Sequence, residues 1–230
     1  MAPKKKLMAL SANVPLPAWA RPVRCQLCGV QWVLERRADG VHCVASDGAV
    51  LWEGMLGLPE NDAELTLEVM PPRYPIELEL ESHIVLAPGG EVRGWIAVPL
   101  ETRLLWSGAG AVDELVRLEP PGLRVGWRDG EGYHHPLVAR LSKAPRAERG
   151  ERCLWLRAYF SNRGPETVRP QRCRLSLASI RLRRMRGVVV GPRVTWVFGI
   201  RGGVRVTELP GWKRPQILQP DFRRLGETAS

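Results

Sequence analysis

Cys25-Gln26-Leu27-Cys28-Gly29 is the sharpest chemical motif in this 230-residue chain. Two thiolates at C-x-x-C spacing can grip zinc from a tight turn, and a following glycine suits that turn. A structural zinc site needs two more ligands, and the downstream candidates are His42 and Cys43. Residues 30–36 and 41–46 read as strands joined at Ala38-Asp39-Gly40, which sets Cys43 opposite Leu34. At ~3.3 Å per residue, Cys43 then lies on the order of 20 Å along the ribbon from Cys28. Adjacent His42 and Cys43 also point to opposite faces. A complete zinc ribbon is therefore not expected; no cofactor is expected, and zinc at Cys25 and Cys28 stays open as a reading. No βαβ pattern surrounds the pair, as a redox C-x-x-C would require. Cys153 and Cys173 lie in apolar strand-like runs and read as buried thiols.

Two other stretches concentrate titratable groups. Asp129-Gly130-Glu131-Gly132-Tyr133-His134-His135-Pro136 reads as a turn, where two histidines near two acids suggest metal chemistry. Consecutive histidines diverge in extended chain, Pro136 biases His135 toward that geometry, and no further ligand is spaced to help. Glu77, Glu79 and Glu81, with His83, stand about 7 Å apart on one face of an alternating strand. They can be the solvated face of an antiparallel sheet, a site for a cation or basic partner, or partners of the chain's own arginines. In that last case each cross-strand pair contributes only ~0.2–1 kcal/mol. G-x-S-x-G, H-E-x-x-H and P-loop signatures are absent, so catalytic residues are unknown and the chain reads as non-catalytic.

The strongest functional feature is basic. Arg172, Arg174, Arg181, Arg183, Arg184, Arg186, Arg201 and Arg205 lie in the last third of the chain, with Arg193, Lys213 and Arg214 nearby. Arginine forks suit phosphate and carboxylate bidentately. Trp196 and Phe198 share the parity of Val194 and Ile200, which assigns them to the core and not to base stacking.

The elements that must position these residues are strands nearly everywhere past residue 30. Ile76, Leu78, Leu80, Ile84 and Leu86 alternate with Glu77, Glu79, Glu81 and His83. Residues 92–98, 102–106, 123–127, 137–141, 153–160 and 168–177 read similarly, separated by Pro and Gly clusters. Residues 194–200 and 204–209 form a hairpin through Arg201-Gly202-Gly203. A parity switch between Leu177 and Ile180 calls for a bulge near Ala178-Ser179. Residues 111–119 suggest one short helix. The expected fold is all-β: an antiparallel β-sandwich or two packed β-modules, with few or no long helices. Residues 1–29 read as a basic, Pro-containing leader with the C-x-x-C, 30–209 as the β-rich body with a subdivision near 120, and 210–230 as an extended C-terminal arm.

Composition sets the frame. Hydrophobic residues make up 44% of the chain and charged residues 25%, enough apolar content for a real core. No run of about 18 apolar residues exists, so no transmembrane segment is expected. The net charge of +10 divides into +5 over residues 1–29, −10 over 30–120 and +15 over 121–230, with 29 Arg against 5 Lys. Such asymmetry points either to a polyanion or to complementary packing of the two halves. Five cysteines, an odd number, with no N-x-S/T sequon, fit a cytoplasmic location better than secretion.

Pro72 to Pro75, the strand into Pro88-Gly89-Gly90, and Ile96-Ala97-Val98-Pro99-Leu100-Glu101 resemble a mostly archaeal β-rich family of unknown function. Phe160-Ser161-Asn162, residues 168–182 and Gly187-Val188-Val189 are similar to that family's C-terminal half. The resemblance spans residues 65–210, rests on loose Pro/Gly and strand patterns, and implies a β-rich fold with no activity to carry over. The sequence therefore leads to a binding or assembly module that engages an acidic protein or sister subunit through its Arg-rich C-terminal half. A sequence-independent nucleic-acid binder is the alternative, and a metal-dependent enzyme at His134/His135 or Cys25/Cys28 the second.

Overall fold

The computed structural model describes residues 10–57, 64–81, 83–108, 111–120, 123, 125–128, 132–145, 152–177, 180–185, 188–199 and 202–207. Among them the chain runs through β1 (Leu10–Val14), β2 (Val23–Leu27), β3 (Val30–Arg37), β4 (Gly40–Ser46), β5 (Val50–Leu56) and β6 (Glu64–Met70). It continues through β7 (Ile76–Leu80), β8 (Glu91–Pro99), β9 (Glu101–Gly108), β10 (Ala111–Leu118), β11 (Gly126–Arg128) and β12 (Gly132–Ala139). The last strands are β13 (Cys153–Asn162), β14 (Arg172–Leu175), β15 (Arg183–Met185), β16 (Val188–Phe198) and β17 (Gly203–Thr207). The fold is all-β, as the alternation requires. Among the described residues there is no helix, and none therefore long and apolar enough to cross a membrane.

Four sheets share one connected apolar core. β2 to β5 form a consecutive meander, and β1, β6, β9 and β10 form a second antiparallel sheet. The other two, β11-β12-β7-β14 and β8-β13-β16 with β15 and β17, each contain one parallel pair, β12 with β7 and β13 with β16. Period two explains which side chains go inside. Leu65, Leu67 and Val69 of β6, Ile76 and Leu78 of β7, and Leu154, Leu156, Ala158 and Phe160 of β13 are all buried. Trp196 is buried against Phe160, their rings stacked 4.9 Å apart, so its parity with Val194 does mark core.

Turn chemistry sets two registers. The 38–40 turn pairs Leu34 with Cys43, as its spacing implies. Cys28 (φ +49°) and Gly29 (φ +79°) form the two-residue loop between β2 and β3, both in the left-handed region that a type I′ hairpin demands. Pro192 stands in the middle of β16, where a proline needs a reason. There β16 passes from β15 to β17 on one edge, while the pairing with β13 slips by one residue on the other. A Cβ on the adjacent Gly191 would lie 2.5 Å from Leu156 Cδ2, so a larger residue at this bulge would require the buried Leu154 and Leu156 side chains to move.

Three local expectations are corrected. Residues 111–119 form strand β10 and not a helix. A bulge between Glu114 and Val116 breaks the alternation: Val116 and Leu118 beyond it are buried, whereas Val112 before it is exposed. The histidine stretch belongs to strand β12, held between β11 and β7, so His134 and His135 are not in a turn. Within the segment read as a leader, β1 pairs with β6 and β2 opens the meander. The bulge expected at Ala178-Ser179 and the arm 210–230 lie outside the described residues.

Polar groups link strands and loops that are distant in sequence. Glu68, Arg103, Glu114, Arg117 and Glu101 form a chain of ion pairs across β6, β9 and β10. Asn162 is fully buried; its Nδ2 donates to the carbonyls of Leu86, Ala87 and Glu166, and its Oδ1 accepts from the Gly164 N–H.

Candidate polyanion interface

The arginines singled out in the sequence do not form one face. Arg172 and Arg174 lie on β14, directly opposite Glu79 and Glu77 of β7. Arg172 Nε is 3.7 Å from Glu77 Oε1, and His134 Nε2 approaches the same carboxylate at 3.6 Å. The carboxylate ladder thus meets the chain's own basic strand, where Arg172 pairs with Glu77 and Arg174 stands opposite it. Arg181 is half-buried between β14 and β15, and Arg184 is exposed on β15. Arg186 and Arg201 lie outside the described residues.

Arg183 and Arg205 belong to a different surface, the outer face of the sheet containing β8, β13 and β16. Register places its side chains in rows across the strands. One row runs Arg93, Tyr159, Thr195, Arg205, and the next runs Trp95, Arg157, Arg193, Thr207. The row beyond is Ala97, Trp155, Val190, Arg183. Trp155 and Val190, 2% and 1% exposed, pack with Trp95, Ala97 and Val188 into a small apolar cluster separate from the main core. That cluster is a rigid floor beside the arginines.

Electrostatics on this face are one-sided. Arg93, Arg157, Arg183, Arg193 and Arg205 form no ion pair among the described residues, and Glu91, in the adjoining row, accepts from Ser161 Oγ at 3.3 Å. Arg157 and Arg193 occupy directly opposed positions on neighbouring strands, about 4.8 Å apart in the sheet. Like charges so placed repel. Arg193 Nε is moreover buried with no hydrogen-bond acceptor. What holds the cations is aromatic. Arg193 Cζ lies 5.1 Å and Arg157 Cζ 5.7 Å from the Tyr159 ring centre, and Arg157 is 6.0 Å from Trp95. Cation–π contacts of this kind contribute about 0.5–1 kcal/mol each at exposed sites. They orient the guanidinium edges without neutralising them.

Arg93, Arg157, Trp95 and Tyr159 escaped sequence reasoning because they lie far from the C-terminal arginines. The signal was present in part: Arg157 and Tyr159 have the parity opposite to Leu156, Ala158 and Phe160. Bringing them beside Arg193 requires the parallel β13–β16 pairing, which no local pattern announces.

The other candidates are placed apart from this face. Cys25 and Cys43 are buried on neighbours of β3, and burial pushes both thiols up to about 12, with Cys43 adding to the effect at Cys25. Cys28 is buried in the β2–β3 turn. His42 turns to the other side and meets Glu53 at 3.0 Å. His135 is buried with the Tyr74 ring 5.5 Å away, while His134 faces Glu77, the divergence extended chain imposes. Among the described residues no group of three or more His, Cys, Asp or Glu is placed to hold a metal ion. Comparison of the chain with protein-family models, curated proteins and solved structures finds no match.

Proposed function

We propose that this protein is a non-catalytic binding module that holds an anionic partner on the outer face of β8, β13, β16 and β17. The observation that carries this reading is the opposed pair Arg157 and Arg193, side by side with no carboxylate between them. A fold that needed these positions only for stability would place opposite charges there, as β14 and β7 do with Arg174 and Glu77. An anionic partner relieves the repulsion and satisfies the outward guanidinium edges bidentately. The reading keeps the basic C-terminal half as the source of the interface but narrows it. Arg183, Arg193 and Arg205 belong to the face together with Arg93 and Arg157, whereas Arg172 and Arg174 do not.

Retention on an anionic resin tests this. Arg157→Gln/Arg193→Gln elutes at clearly lower salt than Arg21→Gln/Arg24→Gln, which removes the same charge from exposed positions elsewhere. Equal shifts for the two double variants would reduce the interaction to net charge and overturn the proposal.

A further inference from the structure

From the alternation of cations and rings on this face, we infer that its partner is a single-stranded nucleic acid whose bases stack among Trp95, Arg157, Tyr159 and Arg193. The inference rests on the anionic-partner reading and adds the chemistry of the ligand. An acidic protein would engage the five arginines, with the two rings serving only to hold them. A single strand offers both kinds of group: phosphates for the guanidinium edges and a π-face on every base. The cations here are all arginine, and a planar guanidinium stacks on bases where a lysine ammonium cannot.

Geometry supports the same choice. Successive rows stand about 7 Å apart along the strands, and neighbouring strands about 4.8 Å apart. The face is therefore a lattice of alternating charge and ring. The guanidinium carbons lie over the Tyr159 and Trp95 rings, 5.1 to 6.0 Å from their centres, so an incoming base stacks on a guanidinium plane or takes its place on the ring. Trp155 and Val190 anchor Trp95 from beside, so the platform is formed before a ligand arrives. The contacts inferred here are to phosphates and base π-faces, which every nucleotide offers, so binding is indifferent to sequence. Pyrimidine homopolymers, which stack least on themselves, are suitable probes.

The test uses the full chain and three probes in fluorescence polarisation or competition: a labelled 20-nucleotide oligothymidylate, inorganic polyphosphate of matched charge, and polyglutamate. Oligothymidylate binds at least tenfold more tightly than polyphosphate. Its affinity falls with salt at a slope no steeper than about −3.5, since each phosphate neutralised on a single strand contributes about −0.7 and the face has five arginines. Tyr159→Leu weakens oligothymidylate roughly tenfold or more and leaves polyphosphate unchanged, while Tyr159→Phe restores binding. Should Tyr159→Leu fail to fold, Arg157→Lys keeps the charge, removes the stacking plane and gives the same split between probes. Equal affinity for oligothymidylate and polyphosphate, or no split in the variants, overturns base stacking and leaves the anionic-partner reading standing. So does binding of polyglutamate with none of oligothymidylate. Absence of binding to all three probes at low salt overturns both.

Discussion

Arg117 donates from Nη1 to Glu101 Oε2 at 3.0 Å, and that carboxylate is 1% exposed. The second oxygen accepts the Arg73 backbone N–H. Burial holds the Glu101 carboxyl above the usual carboxylate range, and the Arg73 and Arg117 donors offset only part of that effect. The pair therefore closes the ion chain through Arg103 and Glu68 at its costliest member.

Removing Arg117 leaves Glu101 buried with too little compensation. Arg117→Met is expected to lower unfolding free energy by about 3 kcal/mol, measured by urea denaturation. Arg117→Met combined with Glu101→Met recovers much of the loss, since a buried pair replaced by apolar side chains is often neutral. Recovery stays incomplete because the Arg73 N–H loses its acceptor. A loss no greater than that of an exposed arginine would show that the pair does not support the sheet.

Glu114 and Glu101 respond to acid with opposite signs. The Arg117 hydrogen bond holds Glu114 below its ordinary value of 4.5, so its contribution is complete above that pH and lost as pH falls through its lowered pKa. Glu101, raised, binds its proton in the folded state first, so its titration lowers stability as pH rises through the raised pKa. Stability measured from pH 7 down to 3 is therefore expected to show Glu114→Gln converging with the parent in acid. Relative to Glu101→Gln, which does not titrate and offers one acceptor oxygen to the two donors, the parent gains stability over the same descent. Parallel curves for either variant would contradict the assignment.

The thiols should be slow. Cys25 and Cys43 are pushed up to about 12 and Cys173 up to about 11, all by burial. At pH 8 a thiol reagent reaches half-buried Cys153 first, and the full count of five appears only on unfolding. Rapid native labelling of Cys25 would break this expectation. Elemental analysis of the same preparation addresses zinc, for stoichiometric metal lost in Cys28→Ser would assign the pair as ligands.

Asn162 pins the chain at Leu86, Ala87, Gly164 and Glu166 with one side chain. Asn162→Ala leaves these buried groups unsatisfied and is expected to cost about 3 kcal/mol or more. Asn162→Asp is worse at neutral pH, because a carboxylate would face three carbonyls it cannot bind. Equal midpoints for Asp and Ala in thermal melts would show that the donors of Asn162 are dispensable.

Local alternation carried most of the fold. The Ile76–Leu80 strand, the Leu34–Cys43 register and the burial of Trp196 all follow from period two and short turns. Bulges defeat that logic: the one at Glu114/Val116 makes β10 look helical, and the one at Gly191-Pro192 shifts parity within β16. The candidate face was the least legible part. Its arginines come from β8, β13, β15, β16 and β17, and charge counted along the chain cannot separate Arg172, opposite Glu79, from Arg205, in a row with Arg93.

The parallel pairing of β13 with β16 has a kinetic corollary. Arg157 cannot meet Arg193 until the chain between the two strands has closed as a loop, and such non-local pairings form late and slowly. A chain still emerging from the ribosome has the same arginines but lacks their arrangement. The platform is thus a property of the finished fold, and capture of a strand by it would report that folding is complete.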